Sequence, residues 1–439
     1  MSVPQRVVAV AVAVLVIAGF AVIALGATGA PLGLGPGEST SPPSASASPI
    51  TPTASAIATE APSADPSAPD EGEILEILAE IEQQVIAIRG LPAADIGPAD
   101  IITRAELGAE LQAIFDAEYP PGERERDNQA LRALGLLGPD EDVAELQLEL
   151  LGDSVLGFYD DVDRRMVVVS DAGLNTEAKL TYAHEYAHAL QDAAFGLDSL
   201  ETDAVGEDDR SLARTALIEG DATTTMLAWA IEHLTPQELL ELGATPIPDT
   251  SGIPSWMVKQ LEFPYTAGQL WVGSLAGDPL SPDFGPVDAA FADPPDSTEQ
   301  VIDLDAWESR EAPLPVDVLD LASALGDEWA EVDATPVGQA AIEITLTHFG
   351  VAPGDARAAA AGWGGDRAVI ASGPDGAFAV AWRLAWDAEG DADEFVAAYE
   401  QVIEELPFPA TVREVSPGEV LVLHGSDEDV LGRVADAAD

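Results

Sequence analysis

The apolar side chains of this chain keep two different periods, and the change from one to the other excludes both an all-helical bundle and an all-β architecture. Ile74, Ile77, Leu78, Ile81, Val85 and Ile88 recur at helical spacing on one stripe, with Glu73, Glu76, Glu80 and Glu82 on the remaining surface. The stripe stops at Gly90 and Pro92, which predicts a helix docked on its own domain rather than a partner-binding coiled coil. Residues 103–119 and 127–137 repeat the helical pattern. Residues 154–170 then change period: Val155, Leu156, Phe158 and Tyr159, a turn-rich 160–165, and a second apolar run over 166–169 predict a β-hairpin. A helix follows from near Thr176 through Leu190 towards Gly196, then a longer one over 210–233 and a short one over 236–242. Past the proline-rich 293–296, paired strands are expected at 368–371 and 377–384 around Pro374-Asp375-Gly376, a helix at 391–405, and further strands at 412–414 and 420–424. The expectation is an α+β fold, with one domain over 71–300 and a smaller α+β region over 301–439.

Ahead of these residues the composition changes twice. Residues 7–27 carry no charge and are almost wholly apolar, about the length that crosses a bilayer core of roughly 30 Å. Arg6 precedes the run and the next basic residue is Arg89, so a single-pass anchor over 1–27 with the bulk of the chain outside the cytoplasmic membrane is expected. A cleaved signal peptide is the competing reading, since Ala27 and Ala30 flank a stretch of small residues. Residues 28–70 are Pro, Ser, Ala, Thr and Gly with few large apolar side chains, which is the composition of a disordered stalk.

The sequence holds 79 Asp and Glu against 18 Lys and Arg, a formal charge of −61. Such a field repels polyanions, so nucleic acid is excluded as a partner. Only Lys179 and Lys259 are lysines, and acids are spread through every folded-looking segment. A high-salt habitat and an acidic secreted protein of a GC-rich genome both fit. Cysteine is absent, which removes disulfides, thiolate metal sites and a cysteine nucleophile, and leaves nitrogen and oxygen as the only metal donors.

His184-Glu185-Tyr186-Ala187-His188 is an H-E-x-x-H motif on a predicted helix behind a hairpin. Residues four apart lie one turn apart on one helix face, so both imidazoles can reach one Zn²⁺ ion with Glu185 beside it as general base. A third ligand is required. Ala194 and Gln191 stand where the longer H-E-x-x-H-x-x-G-x-x-H pattern needs His and Gly, so the expected ligand is a carboxylate on a second helix. Glu219, in Ala216-Leu217-Ile218-Glu219-Gly220-Asp221-Ala222, is the best candidate; Asp221 is the runner-up or an orienting residue beside a ligand. Gly220 lowers helix propensity, and a close approach of two helices around the ion would explain it. Tyr265, which follows Pro264 in a turn-like segment outside the helices, is the first candidate for a donor to a developing oxyanion and His233 the second; a packed core tyrosine is the alternative for Tyr265. Tyr186 is expected to face away from the ion, and His348 and His424 to be surface or core residues. No phosphate-binding glycine loop and no Gly-x-Ser-x-Gly occurs.

With His184, Glu185, His188 and a downstream helical Glu219, the chain resembles the gluzincin (thermolysin-like) group of metallopeptidases, although its interval from His188 to Glu219 is longer. More closely, HEYAHALQD, ALIEGDA, FPYTAG over 263–268 and PPDSTEQV over 294–301 are similar to a bacterial family of membrane-anchored predicted metallopeptidases, a likeness spanning about 73–386. The resemblance implies a zincin-like domain, two histidines and Glu219 as ligands, Glu185 as base, and a substrate-pairing edge strand at 166–169. The function expected is zinc-dependent peptide-bond hydrolysis on a protein or peptide substrate outside the membrane. An inert zinc-binding surface protein and an amidase acting on cell-wall peptides are the alternatives.

Overall fold

The structure is a computed structural model that describes residues 70–152, 155–170, 173–200, 204–243 and 249–438. The expected anchor and nearly all of the expected stalk lie outside the described residues. Among those described, no helix is long and apolar enough to cross a membrane.

The fold is α+β. Helix α1 (Glu71–Arg89) is opened by an Asp70 capping box with Glu73 and closed by Gly90 in the left-handed region. Strand β1 (Asp100–Ile102) leads into α2 (Arg104–Glu118), α3 (Pro121–Ala133) and α4 (Val143–Gly152). Then come the hairpin β2 (Gly157–Asp160) and β3 (Arg165–Val169), and the motif helix α5 (Thr176–Phe195). Asn175 caps α5 by accepting from the Ala178 N–H. Two long helices follow, α6 (Asp208–His233) and, after the short α7 (Pro236–Leu242), α8 (Ser255–Ala276). Helix α9 (Gly285–Ala292) and three short helices, α10 (Thr298–Ile302), α11 (Leu304–Ser309) and α12 (Leu321–Leu325), run to the second sheet. That sheet is built from β4 (Ala330–Thr335), β5 (Trp363–Ser372), β6 (Phe378–Trp386), β7 (Ala410–Ser416) and β8 (Glu419–Gly425). Its helices are α13 (Gly338–His348), α14 (Pro353–Ala360), α15 (Glu389–Glu405) and α16 (Glu428–Ala438).

The first sheet has the order β1-β3-β2, β1 parallel and β2 antiparallel to β3. This corrects the reading of 166–169 as an edge: Asp100, Ile101 and Ile102 pair with Val167, Val168 and Val169, so β3 is central. The edge that faces the motif helix is β2. Three residues are too short a run for a period-2 signal, which is why β1 escapes the sequence.

The second sheet is antiparallel throughout, in the order β4-β5-β6-β8-β7. Its three central strands, β5, β6 and β8, carry apolar runs because both their faces are covered. Ala368, Ile370, Val380, Trp382, Val420 and Val422 pack on one side with α13, α14 and α15, whereas Val369, Ala371, Ala379, Ala381, Leu421 and Leu423 pack on the other with α12 and α16. Ala130 and Ala133 of α3 belong to the first of these cores, and His424 Nδ1 donates to the Ala133 carbonyl at 2.9 Å.

Helix α1 buries Ile74, Leu78, Ile81 and Val85, the stripe expected of it, against Tyr182, Ala183 and Tyr186 of the motif helix. The Tyr182 hydroxyl donates to Glu82 at 2.6 Å and the Trp229 indole to Gln84 at 2.8 Å. Tyr186 therefore faces α1, away from the histidines.

Candidate metal centre

His184 and His188 stand one turn apart on α5, and Glu219 comes from α6, which packs across it. His184 Nε2 lies 3.0 Å from His188 Nε2 and 3.1 Å from Glu219 Oε2, and His188 Nε2 lies 3.3 Å from the same oxygen. The three form the one group of His, Asp and Glu among the described residues whose donor atoms converge closely enough for a metal ion. A tetrahedral cation with bonds of about 2.0–2.1 Å holds its ligand atoms about 3.3 Å apart, and the edges of the triangle, 3.0 to 3.3 Å, come within about 0.3 Å of that. The third ligand expected from the sequence is thus beside the two histidines. Asp221 is not in the triangle; it sits behind it.

All four chemical residues are buried: His184 is 0 % exposed, Glu219 1 %, Glu185 3 % and His188 5 %. Burial depresses the His184 pKa. For Glu219 burial acts upward, but the charge of His188 and hydrogen bonds from both imidazoles outweigh it and hold the carboxylate well below the usual range. Glu219 in turn raises His188 against the effect of burial. An anion in this place needs a positive partner; a proton on His188 or a divalent cation meets that need.

Glu185 is placed by the hairpin. Its Oε2 accepts the Tyr159 N–H of β2 at 3.0 Å, and its Oε1 is buried with no hydrogen-bond partner. Residues 157 and 159 point their main-chain polar groups away from β3, because Val169 N bonds the carbonyl of Leu156 and the ladder alternates from there. Burial pushes the Glu185 carboxyl up to about 8. The arrangement can bind a cation with three protein donors and hold an unpaired carboxylate oxygen next to it.

Tyr265 is also at the site, by a route the sequence does not reveal. It lies inside α8, not in a turn: Pro264 is accommodated within the helix, and Met257, Leu261 and Tyr265 keep one apolar face across it. Its ring stacks beside His184 with centroids 6.0 Å apart, and its hydroxyl interacts with Glu219. Burial and the two acids hold it neutral. What lets α8 come so close is Gly220 against Gly268. A Cβ on Gly220 would overlap the Gly268 carbonyl, and one on Gly268 would overlap that of Ala216. Gly220 thus serves a close approach of two helices, α6 and α8. His233 ends α6, fourteen residues beyond Glu219 and so about 21 Å along the helix. It is no part of the centre. His348 bonds Ser255 at 2.9 Å, and His424 is buried between Tyr399 and Ala133; both are packing residues.

The sequence reading did not single out Gln191 or Arg89. His188 Nδ1 is 2.8 Å from Gln191 Oε1, Gln191 Nε2 donates to Asp221 at 2.8 Å, and Asp221 pairs with Arg89 at 2.8 Å. The spacing of Gln191 from His188, three residues on one helix, was the available signal.

Comparison with known proteins adds one match, to the family described as Domain of unknown function (DUF8575), over residues 327–435. It spans the second sheet and its helices and does not reach the histidine motif. No curated protein and no solved structure matches the chain.

Proposed function

We propose that this chain is a zinc-dependent peptidase of gluzincin type, with a zincin-like domain, held outside the cytoplasmic membrane by its N-terminal apolar segment. The observation that carries the reading is the triangle of His184 Nε2, His188 Nε2 and Glu219 Oε2 with edges of 3.0 to 3.3 Å, next to a carboxylate that has one oxygen fixed and the other unpartnered. The donor set of two imidazoles and one carboxylate suits zinc and leaves a fourth position for water. When bound there, zinc supplies Lewis acidity, which lowers the pKa of water and polarises a carbonyl.

The chain's own residues supply the rest. Glu185, held at Oε2 by the Tyr159 N–H, takes a proton at Oε1 and returns it to the leaving amine. Burial raises the pKa of its carboxyl, which strengthens it as a base, and the charge of a cation beside it would draw it back towards the ionised form in which it takes the proton. Tyr265, kept protonated by burial and by Glu219, turns its one hydroxyl proton from Glu219 to donate a hydrogen bond to the developing oxyanion. The edge of β2 not paired with β3 is the edge along which an extended peptide would align, in place of the 166–169 strand that lies inside the sheet, with its Tyr159 N–H already given to Glu185.

A second reading, an inert structural zinc centre, is favoured by the burial of all four residues. Against it stands Glu185, since a buried carboxylate oxygen without a partner costs stability and serves no packing purpose. Glu185→Gln separates the two. The peptidase reading expects zinc content to persist while chelator-sensitive cleavage of protein substrates disappears. A native chain that holds zinc and cleaves neither proteins nor cell-wall peptides leaves the inert centre as the answer.

A further inference from the structure

Behind the ligand triangle runs a second set of buried polar groups that the proposed chemistry does not use. Arg89, the last residue of α1, has a fully buried side chain. Its Nε lies 2.8 Å from Asp221 Oδ1, and a terminal nitrogen lies 2.7 Å from Asp288 of α9. Asp221 Oδ2 accepts from Gln191 Nε2 at 2.8 Å, and the same amide nitrogen donates to the Ile218 carbonyl at 3.0 Å. The other end of that amide, Oε1, faces His188 Nδ1 at 2.8 Å.

The direction of every proton in this series is forced. Ile218 O and a carboxylate paired with Arg89 are both acceptors, so the Gln191 nitrogen must be the atom that meets them. With the amide turned over, its oxygen would face two acceptors. Gln191 Oε1 is therefore what His188 meets, and an oxygen acceptor requires a proton on Nδ1. Nε2, the remaining ring nitrogen, then faces the position shared with His184 and Glu219, and gives its lone pair to a cation there once its own proton has left.

The geometry points to Gln191 as the positioning residue of the metal centre: fixed by Asp221 and Arg89, it sets the tautomer and ring orientation of His188. This rests on the zinc reading above. Histidine ligands are commonly oriented by a carboxylate on the far nitrogen, which also raises their basicity. Here the carboxylate is one residue removed and already paired with Arg89, and a neutral amide stands between. His188 is oriented without a negative charge against its ring, which leaves Glu219, among the described residues, the only anion in contact with the two imidazoles' facing nitrogens. Because Arg89 ends α1, the series also ties the first helix of the domain to the centre.

The test measures zinc affinity of the purified full-length chain by competition with a chromophoric chelator, together with the imidazole ¹⁵N spectrum. Gln191→Leu should weaken zinc binding about 10- to 100-fold, the usual loss when such an orienting partner is removed. It also strands Asp221 and the Ile218 carbonyl, so a second variant guards against simple unfolding. The double change Gln191→Glu with Asp221→Asn keeps the total charge, an acceptor for His188 Nδ1 and a donor from position 221 to position 191. It loses the donor to the Ile218 carbonyl just as Gln191→Leu does, so the two variants differ in the acceptor offered to His188. It should hold zinc within about threefold of the native chain with His188 still protonated at Nδ1. A purely structural role predicts lower stability for both variants with no change in affinity. Native affinity in a folded Gln191→Leu chain, or a double variant as weak as the single one, overturns the assignment of Gln191. Failure of the native chain itself to bind zinc overturns the metal centre instead.

Discussion

Glu219 and His188 share a charge with almost no water around them, and the consequences are measurable. In the metal-free protein, burial alone would lower His188, but the Glu219 carboxylate outweighs it and holds the imidazole up to about 9. A zinc ion binds the neutral ring, so at neutral pH it must displace that proton. His184, depressed by burial, has none to lose. The sign follows: apparent zinc affinity rises with pH, about tenfold per unit, until pH passes the His188 pKa, and falls away as acid protonates the imidazoles. Chelator competition between about pH 6.5 and 8.5 checks the slope, and an affinity flat over that range would mean that His188 is already neutral there and that Glu219 does not hold a proton on it. Tyr265→Phe addresses the opposite side of the site. Loss of one oxyanion donor typically lowers kcat by about 10²- to 10³-fold, and zinc content should be retained. Should the variant lose zinc instead, the Tyr265 hydroxyl acts by holding Glu219.

Among the elements, the pair α6 and α8 decides the geometry. Two long helices rarely bring their backbones into contact, and Gly220 and Gly268 do so here because neither presents a Cβ. The same contact delivers Tyr265 from α8 to Glu219 on α6. Gly268→Ala forces backbone apart rather than a flexible side chain, so a destabilisation of about 1–3 kcal/mol is expected, read as a lower midpoint in urea. Peptidase activity should fall further than stability, because the helix that moves carries Tyr265. An Ala variant with native midpoint and native activity would mean that the two helices have room to spare. The hairpin is the other element that matters. β2 supplies a single N–H, from Tyr159, that fixes Glu185, and it can do so only as an edge strand.

Over the whole molecule the formal charge of −61 opposes the compact state. Eighteen basic residues cannot pair 79 acids, and among the described residues Arg89 and Arg165 each serve more than one. Arg165, for example, meets Asp100, Glu110, Asp160 and Asp163. Raising salt from 0.1 to 1 M shortens the screening length from about 10 to about 3 Å, so the thermal midpoint should climb with NaCl. A midpoint unmoved by salt, in scanning calorimetry, would mean that self-repulsion does not limit this fold. The second sheet is joined to the rest through α3, by the shared core at Ala130 and Ala133 and by His424, and through α13, whose Ala340 packs in the core of α6 and α8 and donates its N–H to Thr298. Its own anchor is Asp366, which accepts from the main chain of Val337 and Gly338 and from the indoles of Trp363 and Trp382.

What the sequence determined by itself was local. Two histidines four apart on a helix must share a face, an apolar stripe from Ile74 to Val85 must be buried on one side, and Asp375-Gly376 between two apolar runs must turn the chain. These follow from the 3.6 and 2.0 periods and from backbone sterics, which act within a few residues. Glu219 was also within reach, because a lone acid in an apolar helix needs a partner. The strand order was not, since Asp100 and Val167 meet only after the chain closes a loop of more than sixty residues. Nor was the continuous path of α8 across Pro264, where packing of Leu261 and Tyr265 outweighs one missing N–H. The same holds for Gln191: a glutamine reads as polar surface until Ile218, Asp221 and Arg89 from two other helices surround it. Pairing between distant segments is fixed by burial and shape, and neither leaves a period in the sequence.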